Sequence, residues 1–460
     1  MNLSNFDLAV LIIYAIAIFY IGWKSAKKVK TTEDFATGGK IYSSFFVMAT
    51  LAASFTGGGF TTGLAEKVYS FGIIYVIGIW GFCLKEILIA KYIAPQIVKF
   101  PNARSVGDIM GQLYGGKAKI FTGAASFLVC AGILGAQFVA FGNVCNVLLG
   151  ISPKIGSVAC ALILLIYTGK AGMRGVVAND TMHLIVMMIS LPLVFYFGVQ
   201  TIGGFDELYS QCTTNFCKDI SYSSIALLFL SFFFAETLVP PYAQRLLIGK
   251  TVKDTIRGNM ASGIFAFPFF LMIGCIGLMA AVINPALTPR LALPYMVLEV
   301  MPLGLKGLAI AGMFAIILSA ADSFINAASV AVTNDMFSGI LKRFSETQKL
   351  LFSKYTTYLV CMTALLFTIS LESALDVLME AYMFWTPIII VPFVAGVMGI
   401  QRPKEAFFYS AFAGVALVSL IRIFSMNHSE YFEVSVWGIL ANFIVFFCYR
   451  PMSRLSRNPV

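Results

Sequence analysis

The chain has 460 residues, of which 59% are hydrophobic and 12% are charged, and its mean hydropathy is +0.86. A soluble domain carries about 25% charged residues, so this composition excludes a soluble enzyme, a nucleic-acid-binding protein and a disordered protein. The formal net charge of +10 must therefore be interpreted from the positions of the basic residues. The composition predicts an integral membrane protein.

Apolar runs separated by polar breaks predict thirteen membrane-spanning helices, since a span needs roughly 20 apolar residues. In chain order, the predicted helices lie near 6–23, 42–65, 72–97, 120–149, 155–169, 176–200, 223–247, 259–283, 304–334, 355–371, 377–400, 404–424 and 433–449. The predicted fold class is all-α, a polytopic membrane protein. An odd number of spans places the two termini on opposite sides of the membrane.

Basic residues fall mostly in alternate loops between the predicted helices. These loops carry KSAKKVK after the first helix and then, among others, Lys99, Arg104, Lys170, Arg174, Arg245, Lys250, Lys342, Arg343, Arg402 and Lys404. Because cytoplasmic loops are enriched in Lys and Arg, we predict an outside N-terminus and a cytoplasmic C-terminus in the cytoplasmic (inner) membrane. The same orientation places Cys212 and Cys217 outside, where an oxidising compartment would allow them to pair.

Two of the predicted helices contain helix-breaking residues near their middle. The second reads LAASFTGGGFTTGLAEKVY, and its segment 56–59 has low helix propensity. The seventh reads LLFLSFFFAETLVPPYAQRLL, in which Pro240 and Pro241 remove two amide donors. Carbonyls freed within a membrane must be satisfied by a neighbour, a water or an ion. The alternative is that the glycines permit close helix packing and the prolines only kink their helix.

The two breaks occupy corresponding positions, five helices apart. Paired interrupted helices mark the binding site of transporters that are built from inverted repeats. The sequence therefore predicts two five-helix repeats of opposite orientation, 42–202 and 203–400, with an external loop in the second. Residues 1–41 are expected to form an N-terminal helix and a cytoplasmic loop, and 401–460 two C-terminal helices and a short cytoplasmic tail.

Four segments resemble the sodium/solute symporter family and occur in the family's order over about 30–450. They are TTEDFATGGK leading into LAASFTGGGFTTGLAEKVYSFG, GMRGVVAND at 172–180, PPYAQRLLIGK at 240–250 and AIILSAADSFINAASVAVTND at 315–335. The first and last are most similar to the choline-transporter branch. The resemblance implies a thirteen-helix, inverted-repeat fold with an outside N-terminus and sodium-driven solute uptake.

The resemblance also implies a sodium site between the broken second helix and the ninth helix. Sodium is a hard cation that prefers oxygen ligands. Carried over from the family, these ligands are the backbone carbonyls of Ala53, Thr56 and Ile316 and the hydroxyl of Ser319. Many members have a second hydroxyl after that serine, whereas this chain has Ala320, which removes one ligand.

Three further side chains are candidates for the cation path. Ser319 and Ser323 share a helix face, with Asp322 beside it, and in the family Asp180 lies near this face. Carboxylates inside a membrane are costly and are functional hypotheses by default. The alternatives are an interfacial position for Asp180 near the inner mouth and a purely structural hydrogen bond from Asn326 to Asp322.

The solute pocket is expected beside both breaks, where small residues expose the backbone and aromatic rings supply contact area. The predicted lining residues are Gly57, Gly58, Gly59, Phe60, Gln137, Phe138, Phe234, Glu236 and Tyr242. For Phe138 and Phe234, ordinary helix packing is the alternative. Phe55 and Val239 stand where the choline branch has Trp, so the aromatic cage that favours a quaternary ammonium is missing.

The charged residues near the breaks can also be interpreted as members of ion pairs. Lys85 and Glu86 in the third helix are expected to form a mutually satisfied pair, because an unpaired buried charge is strongly destabilising. Glu236 beside the second break can hold a cationic group of the solute or pair with Lys85 or Arg245.

The sequence thus predicts a secondary transporter, not an enzyme, that couples sodium to the uptake of a small organic solute by alternating access. The expected partners are the solute, the transported sodium ion and the lipid bilayer, with no nucleic acid, and the chain is expected to act as a monomer. A proton-coupled carrier or an uncoupled facilitator on the same fold is the alternative, motivated by Ala320 and the two carboxylates. A channel or a membrane sensor is less favoured.

Overall fold

The computed structural model describes residues 3–218, 220–235, 238–368, 374–424 and 431–450. Within this part of the chain the secondary structure is helical, and the only strand-like feature is an isolated parallel bridge between Tyr42 and Gly249. The all-α class predicted from the apolar runs is confirmed.

The described residues up to Asn215 form ten α-helices. They are α1 (Asn5–Ala26), α2 (Thr32–Thr37), α3 (Ser44–Phe55), α4 (Gly58–Phe71), α5 (Tyr75–Leu88), α6 (Val106–Tyr114), α7 (Gly116–Leu149), α8 (Pro153–Tyr167), α9 (Gly172–Ile202) and α10 (Phe205–Thr214). A π-helical turn (Ile89–Ile93) and a 3₁₀ turn (Ala94–Lys99) extend α5. Pro95 lies at this transition, where its missing N–H disrupts the α-helical hydrogen-bond pattern.

The part of the later chain that the structure describes, from Ser221 onward, forms ten more. They are α11 (Tyr222–Ala235), α12 (Pro240–Arg245), α13 (Val252–Ile283), α14 (Ala292–Val300), α15 (Lys306–Val330), α16 (Ser338–Leu341), α17 (Glu346–Thr368), α18 (Ala374–Val397), α19 (Lys404–Phe424) and α20 (Tyr431–Cys448). A π-helical turn (Ala331–Met336) continues α15, and a 3₁₀ turn (Pro289–Leu291) precedes α14.

Six helices of the described residues are long and apolar enough to cross a membrane: α1, α7, α9, α13, α15 and α19. The pair α3 and α4 is a seventh candidate, bent by 52° at its break. On α1, Ile12, Ile13 and Ile16 are 59–65% exposed. A helix with so much apolar surface on its outer face is suited to contact with lipid tails.

The first break is built from small residues that let two helices approach closely. Gly57 separates α3 from α4, and a Cβ added to Gly58 would lie 2.6 Å from the Cβ of Ala140 on α7. No side chain fits at that distance, so glycine is required where α4 crosses α7.

The second break lies between α11 and α12. α11 ends at Ala235 and α12 begins at Pro240, with Pro241 in its first turn. Proline is tolerated there because the first helical amides have no intrahelical acceptor. Leu238 within the break has a φ of +56°, a left-handed conformation that costs a non-glycine residue about 1–2 kcal/mol.

The centre of the bundle is α15. Nearly all of its side chains are buried, and it packs against α7 and α9 on two sides and against α1 and α3 on others. A helix that is apolar and buried all round belongs in the core. Polar residues on α15 therefore face protein rather than lipid.

Helix α2 closes one end of the bundle, where many basic residues lie. The Asp34 carboxylate accepts hydrogen bonds from Arg174 of α9 at 2.6 and 3.1 Å. The carbonyl of Phe35 accepts one from Asn326 of α15, and the next carbonyl accepts one from Gln244 of α12. The short helix thus links α9, α12 and α15, which belong to both halves of the chain.

The pairing expected in the third predicted helix is confirmed. Lys85 Nζ lies 2.9 Å from Glu86 Oε1, and both side chains are buried. The alternative partner, Glu236, lies outside the described residues.

Cys212 and Cys217 do not pair with each other in the structure. Cys212 and Cys217 are both free thiols, and the Cys217 thiol donates a hydrogen bond to the carbonyl of Ile220. Cys212 on α10 instead meets Cys275 of α13, and the hydrogen bond from Cys275 lowers the pKa of the Cys212 thiol to about 7. Cys212 and Cys217 are close in sequence, which suggested a disulfide between them. The turn after α10 does not bring them together as a pair.

Candidate cation and solute site

The first break leaves backbone groups of α3 and α4 available. Because α3 ends at Phe55, the N–H of Thr56 caps the carbonyl of Ala52, and the carbonyls after it lack their usual partners within the helix. The carbonyl of Ala53 accepts a hydrogen bond from the Thr56 hydroxyl at 3.0 Å. At the start of α4, the N–H of Gly58 donates to Gln137 Oε1 of α7 at 2.8 Å. Gln137 therefore binds the exposed N-terminus of the second half-helix.

The break lies directly against α15. A Cβ added to Gly57 would lie 2.5 Å from the Cβ of Ala320, so the two backbones are in close contact. Ile316 lies one turn before Ala320 and Ser319 immediately before it, and both are buried. The helices that carry the four predicted sodium ligands thus meet at this point, with a methyl group at 320 where a hydroxyl is common in the family.

Asp180 on α9 reaches the same region. Its Oδ1 accepts a hydrogen bond from the Ser319 hydroxyl at 2.5 Å. Its Oδ2 accepts one from the Thr50 hydroxyl of α3 and one from the Arg245 guanidinium at 3.3 Å. The side chain is completely buried within the protein.

Arg245 is the residue of this site that the sequence interpretation missed. The basic-loop pattern predicts a cytoplasmic Arg245, but the structure places it on α12 with a completely buried side chain. Its Nη2 donates to three hydroxyls, those of Thr50 at 3.2 Å, Ser54 at 3.0 Å and Ser323. The same nitrogen donates to the Asp180 carboxylate at 3.3 Å. Its Nη1 donates to the carbonyl of Pro241 at 3.0 Å. The sequence did contain a signal for this position. Arg245 lies one turn after the two prolines, so it belongs to the broken helix and not to the loop that follows it.

Asp322 lies one turn after Ser319 and is also completely buried. Its Oδ1 accepts a hydrogen bond from the Thr168 hydroxyl at 3.1 Å. Its Oδ2 has no hydrogen-bond partner within 3.5 Å among the described residues. The Asn326 amide donates to the carbonyl of Phe35 instead, so the polar partner of Asp322 is Thr168 and not Asn326.

Aromatic rings fill the space beside both breaks. The ring of Phe60 on α4 lies 5.3 Å from that of Phe82, 5.5 Å from that of Phe232 and 5.6 Å from that of Phe270, measured between centroids. The ring of Tyr242 on α12 lies 6.3 Å from that of Phe82. The two broken helices therefore contribute to one aromatic cluster, which presents contact area of the kind that solute pockets use.

The other predicted pocket residues are distributed differently. Gly59 and Phe138 are buried, and the carbonyl of Phe138 accepts a hydrogen bond from Ser157. Phe234 lines a separate apolar cavity of about 680 Å³ between α5, α11, α18 and α20. Glu236 lies outside the described residues.

Comparison with known proteins now identifies the family. The sequence profile of the sodium:solute symporter family matches residues 35–414. The chain belongs to this family. The resemblance drawn from the four segments is thereby confirmed, the chain is a sodium-coupled transporter rather than an enzyme, and sodium is its coupling ion.

The alignments with curated relatives span most of this chain and most of each relative. A sodium/sialic acid symporter of Proteus mirabilis is 24% identical over 97% of this chain and 95% of its own. The human sodium/myo-inositol cotransporter is 23% identical over 93% of this chain and 68% of its own. A solved substrate-bound, outward-open Na⁺-coupled sialic acid symporter shares the fold with a TM-score of 0.86 at 20% identity, over 99% of this chain and 98% of that one.

The buried ion pair gives a stability prediction. Asp180→Asn removes the charge that faces the Arg245 guanidinium, and an uncompensated buried charge costs about 3–5 kcal/mol. Glu346→Gln is the control, because its pair with Lys349 is largely exposed and such pairs contribute about 1 kcal/mol or less. We expect thermal unfolding in detergent to show a large loss for the first variant and little for the second. Equal losses would contradict the role assigned to the buried pair.

Proposed function

We propose that the chain carries a small organic solute into the cell with sodium by alternating access, binding both at the point where the two broken helices meet α15. The observation that carries this proposal is the contact of Gly57 with Ala320. It brings open carbonyls of α3 beside the serine hydroxyls of α15 in a buried setting. Such oxygens are the ligands a hard cation prefers.

In this proposal sodium is held by the carbonyls of Ala53, Thr56 and Ile316 and by the Ser319 hydroxyl. The ion then joins α3 to α15, helices that come from different halves of the chain. Because both helices contribute ligands, sodium favours the arrangement in which they lie together. That preference couples ion binding to the conformation that accepts the solute.

The solute is proposed to bind on the other side of the first break. Gly57, Gly58 and Gly59 lie at this break, where Gly57 packs against α15 and Gly58 against α7, and Gln137 holds the N-terminus of α4 in place. Phe60 and Tyr242 bring the aromatic cluster from both broken helices. A compact solute with apolar faces and a few hydrogen-bonding groups, such as a sugar derivative or a polyol, matches this lining.

The proposed topology has thirteen spans, an outside N-terminus and a cytoplasmic C-terminus in the inner membrane. Residues 42–202 and 203–400 form the two inverted repeats, and one chain is the functional unit. The links from α2 to α9, α12 and α15 then close the cytoplasmic side. They must release for the solute to leave, because they tie both repeats to the same short helix.

Uptake into proteoliposomes tests the function. The solute panel contains radiolabelled sialic acid, myo-inositol, glucose, proline and choline, each under an inward sodium gradient, an inward proton gradient or neither. We expect accumulation of at least one solute only under the sodium gradient. Accumulation that follows the proton gradient without sodium would instead support the proton-coupled alternative, and equilibration without any gradient a facilitator.

The sodium ligands give a sharper prediction. Ser319→Ala removes one side-chain ligand, and the sodium concentration for half-maximal uptake is expected to rise about tenfold, which corresponds to about 1.4 kcal/mol. Ser329→Ala is the matched control, since Ser329 is buried on the same helix but hydrogen-bonds with Thr357. Uptake as a function of sodium concentration measures both. An unchanged sodium dependence in Ser319→Ala would contradict the assignment of this hydroxyl.

A further inference from the structure

The apolar cavity that Phe234 lines opens on the outer surface of the helix bundle. Its floor is closed, because Ile89 and Leu238 are buried, whereas Tyr92 and Phe443 on its rim are 47–49% exposed. With about 680 Å³ and an almost entirely apolar lining, it has the size of a small-molecule site, about 300–1,000 Å³. A ligand can therefore enter it from the side of the bundle, which in the proposed topology faces lipid.

The cavity is about as long as one leaflet of a membrane is thick. On α20 its lining residues run from Val436 to Phe447, a rise of roughly 16 Å at 1.5 Å per residue. The hydrocarbon core of a bilayer is about 30 Å thick, so half of it is about 15 Å. In the proposed topology α5, α18 and α20 run in the same direction, and the cavity ends where α18 and α20 end, at Ile400 and Phe447. It therefore spans the cytoplasmic leaflet.

Two cations lie at this cytoplasmic end of the cavity. The Arg402 guanidinium lies 5.5 Å from the centroid of the Phe447 ring and donates a hydrogen bond to the Phe447 carbonyl. Lys91 Nζ lies 5.2 Å from the centroid of the Tyr92 ring. Neither cation forms an ion pair with a carboxylate of the described residues. Arg402 Nε is buried and has no hydrogen-bond partner in that part of the chain. Both cations are thus available to an anion at the mouth of the cavity.

An apolar cavity with cations at one end matches an amphiphile with an anionic head. We propose that it binds one anionic phospholipid of the cytoplasmic leaflet, with an acyl chain in the cavity and the phosphate at Arg402 and Lys91. Basic pockets between membrane helices on the cytoplasmic side bind anionic headgroups in this way. Lys85 lines the cavity farther from its mouth and is already paired within the protein, so it takes no part in holding the phosphate. The choice of leaflet rests on the proposed topology, whereas the cavity itself is separate from the sodium and solute sites.

Native mass spectrometry of delipidated protein tests this binding. The probes are phosphatidylglycerol and phosphatidylcholine with identical acyl chains, and glycerol phosphate, which has no acyl chain. We expect one phosphatidylglycerol per chain, bound about tenfold more tightly than phosphatidylcholine, and no binding of glycerol phosphate. The double variant Lys91→Gln with Arg402→Gln is expected to lose the preference for phosphatidylglycerol. The matched control is Lys253→Gln with Arg257→Gln, which removes two exposed cations of α13 that do not line the cavity, and it should keep the preference.

Two single variants cover the case in which the double variant does not fold. Lys91 is exposed, and Lys91→Gln alone should weaken phosphatidylglycerol binding about threefold. Ala395→Trp places a bulky ring in the cavity that Ala395 lines, and it should remove the bound phospholipid whatever its headgroup.

Equal binding of the two phospholipids to the native protein would overturn the proposal. A protein dimer that forms without bound lipid and that Ala395→Trp disrupts would also overturn it, because a second copy of the chain would then occupy the cavity. The spectra are recorded without sodium or solute, so either outcome leaves the proposed transport function intact. Failure of that function would show in the uptake assay instead.

Discussion

A buried positive charge that must be matched organises this protein. Arg245 lies completely inside the bundle, and four helices are arranged so that their oxygens meet its guanidinium. α3 supplies two hydroxyls, α9 a carboxylate and α15 a hydroxyl, while α12 carries the arginine itself. Because an unpaired charge in a membrane is so costly, this set of contacts fixes the relative positions of the helices on which transport depends.

This arrangement of contacts also explains the role of the two helix breaks. A broken helix within a membrane leaves backbone groups that need partners. Gln137 of α7 satisfies the start of α4, and Arg245 donates to the Pro241 carbonyl at the start of its own helix α12. Other contacts join the two halves of the chain, because Gly57 at the first break contacts Ala320 of α15 and Arg245 donates to Thr50 and Ser54 of α3. An ion or a solute bound there can therefore bias how the halves sit together.

Much of the fold was accessible from the sequence because it depends on local properties. Apolar length predicted the all-helical, membrane-type fold, and glycine and proline chemistry located both breaks to within a few residues. The Lys85–Glu86 pair followed from the cost of burying either charge alone. Arg245 was misplaced because charge counting treats every arginine near a helix end as solvated, and only the packing of α12 against α3 and α15 shows otherwise. Cys212 meets Cys275 rather than Cys217 for a similar reason, since the contact is between helices that are distant in sequence.

The central claim is that sodium, bound where the first break meets α15, drives the accumulation of the solute. The most direct measurement is the solute gradient that just balances a fixed sodium gradient in proteoliposomes held at zero membrane potential. The account predicts that a tenfold sodium gradient supports a solute gradient of about tenfold or more, which corresponds to about 1.4 kcal/mol or more. A solute gradient that does not change with the sodium gradient, or the absence of any accumulation, would contradict the account.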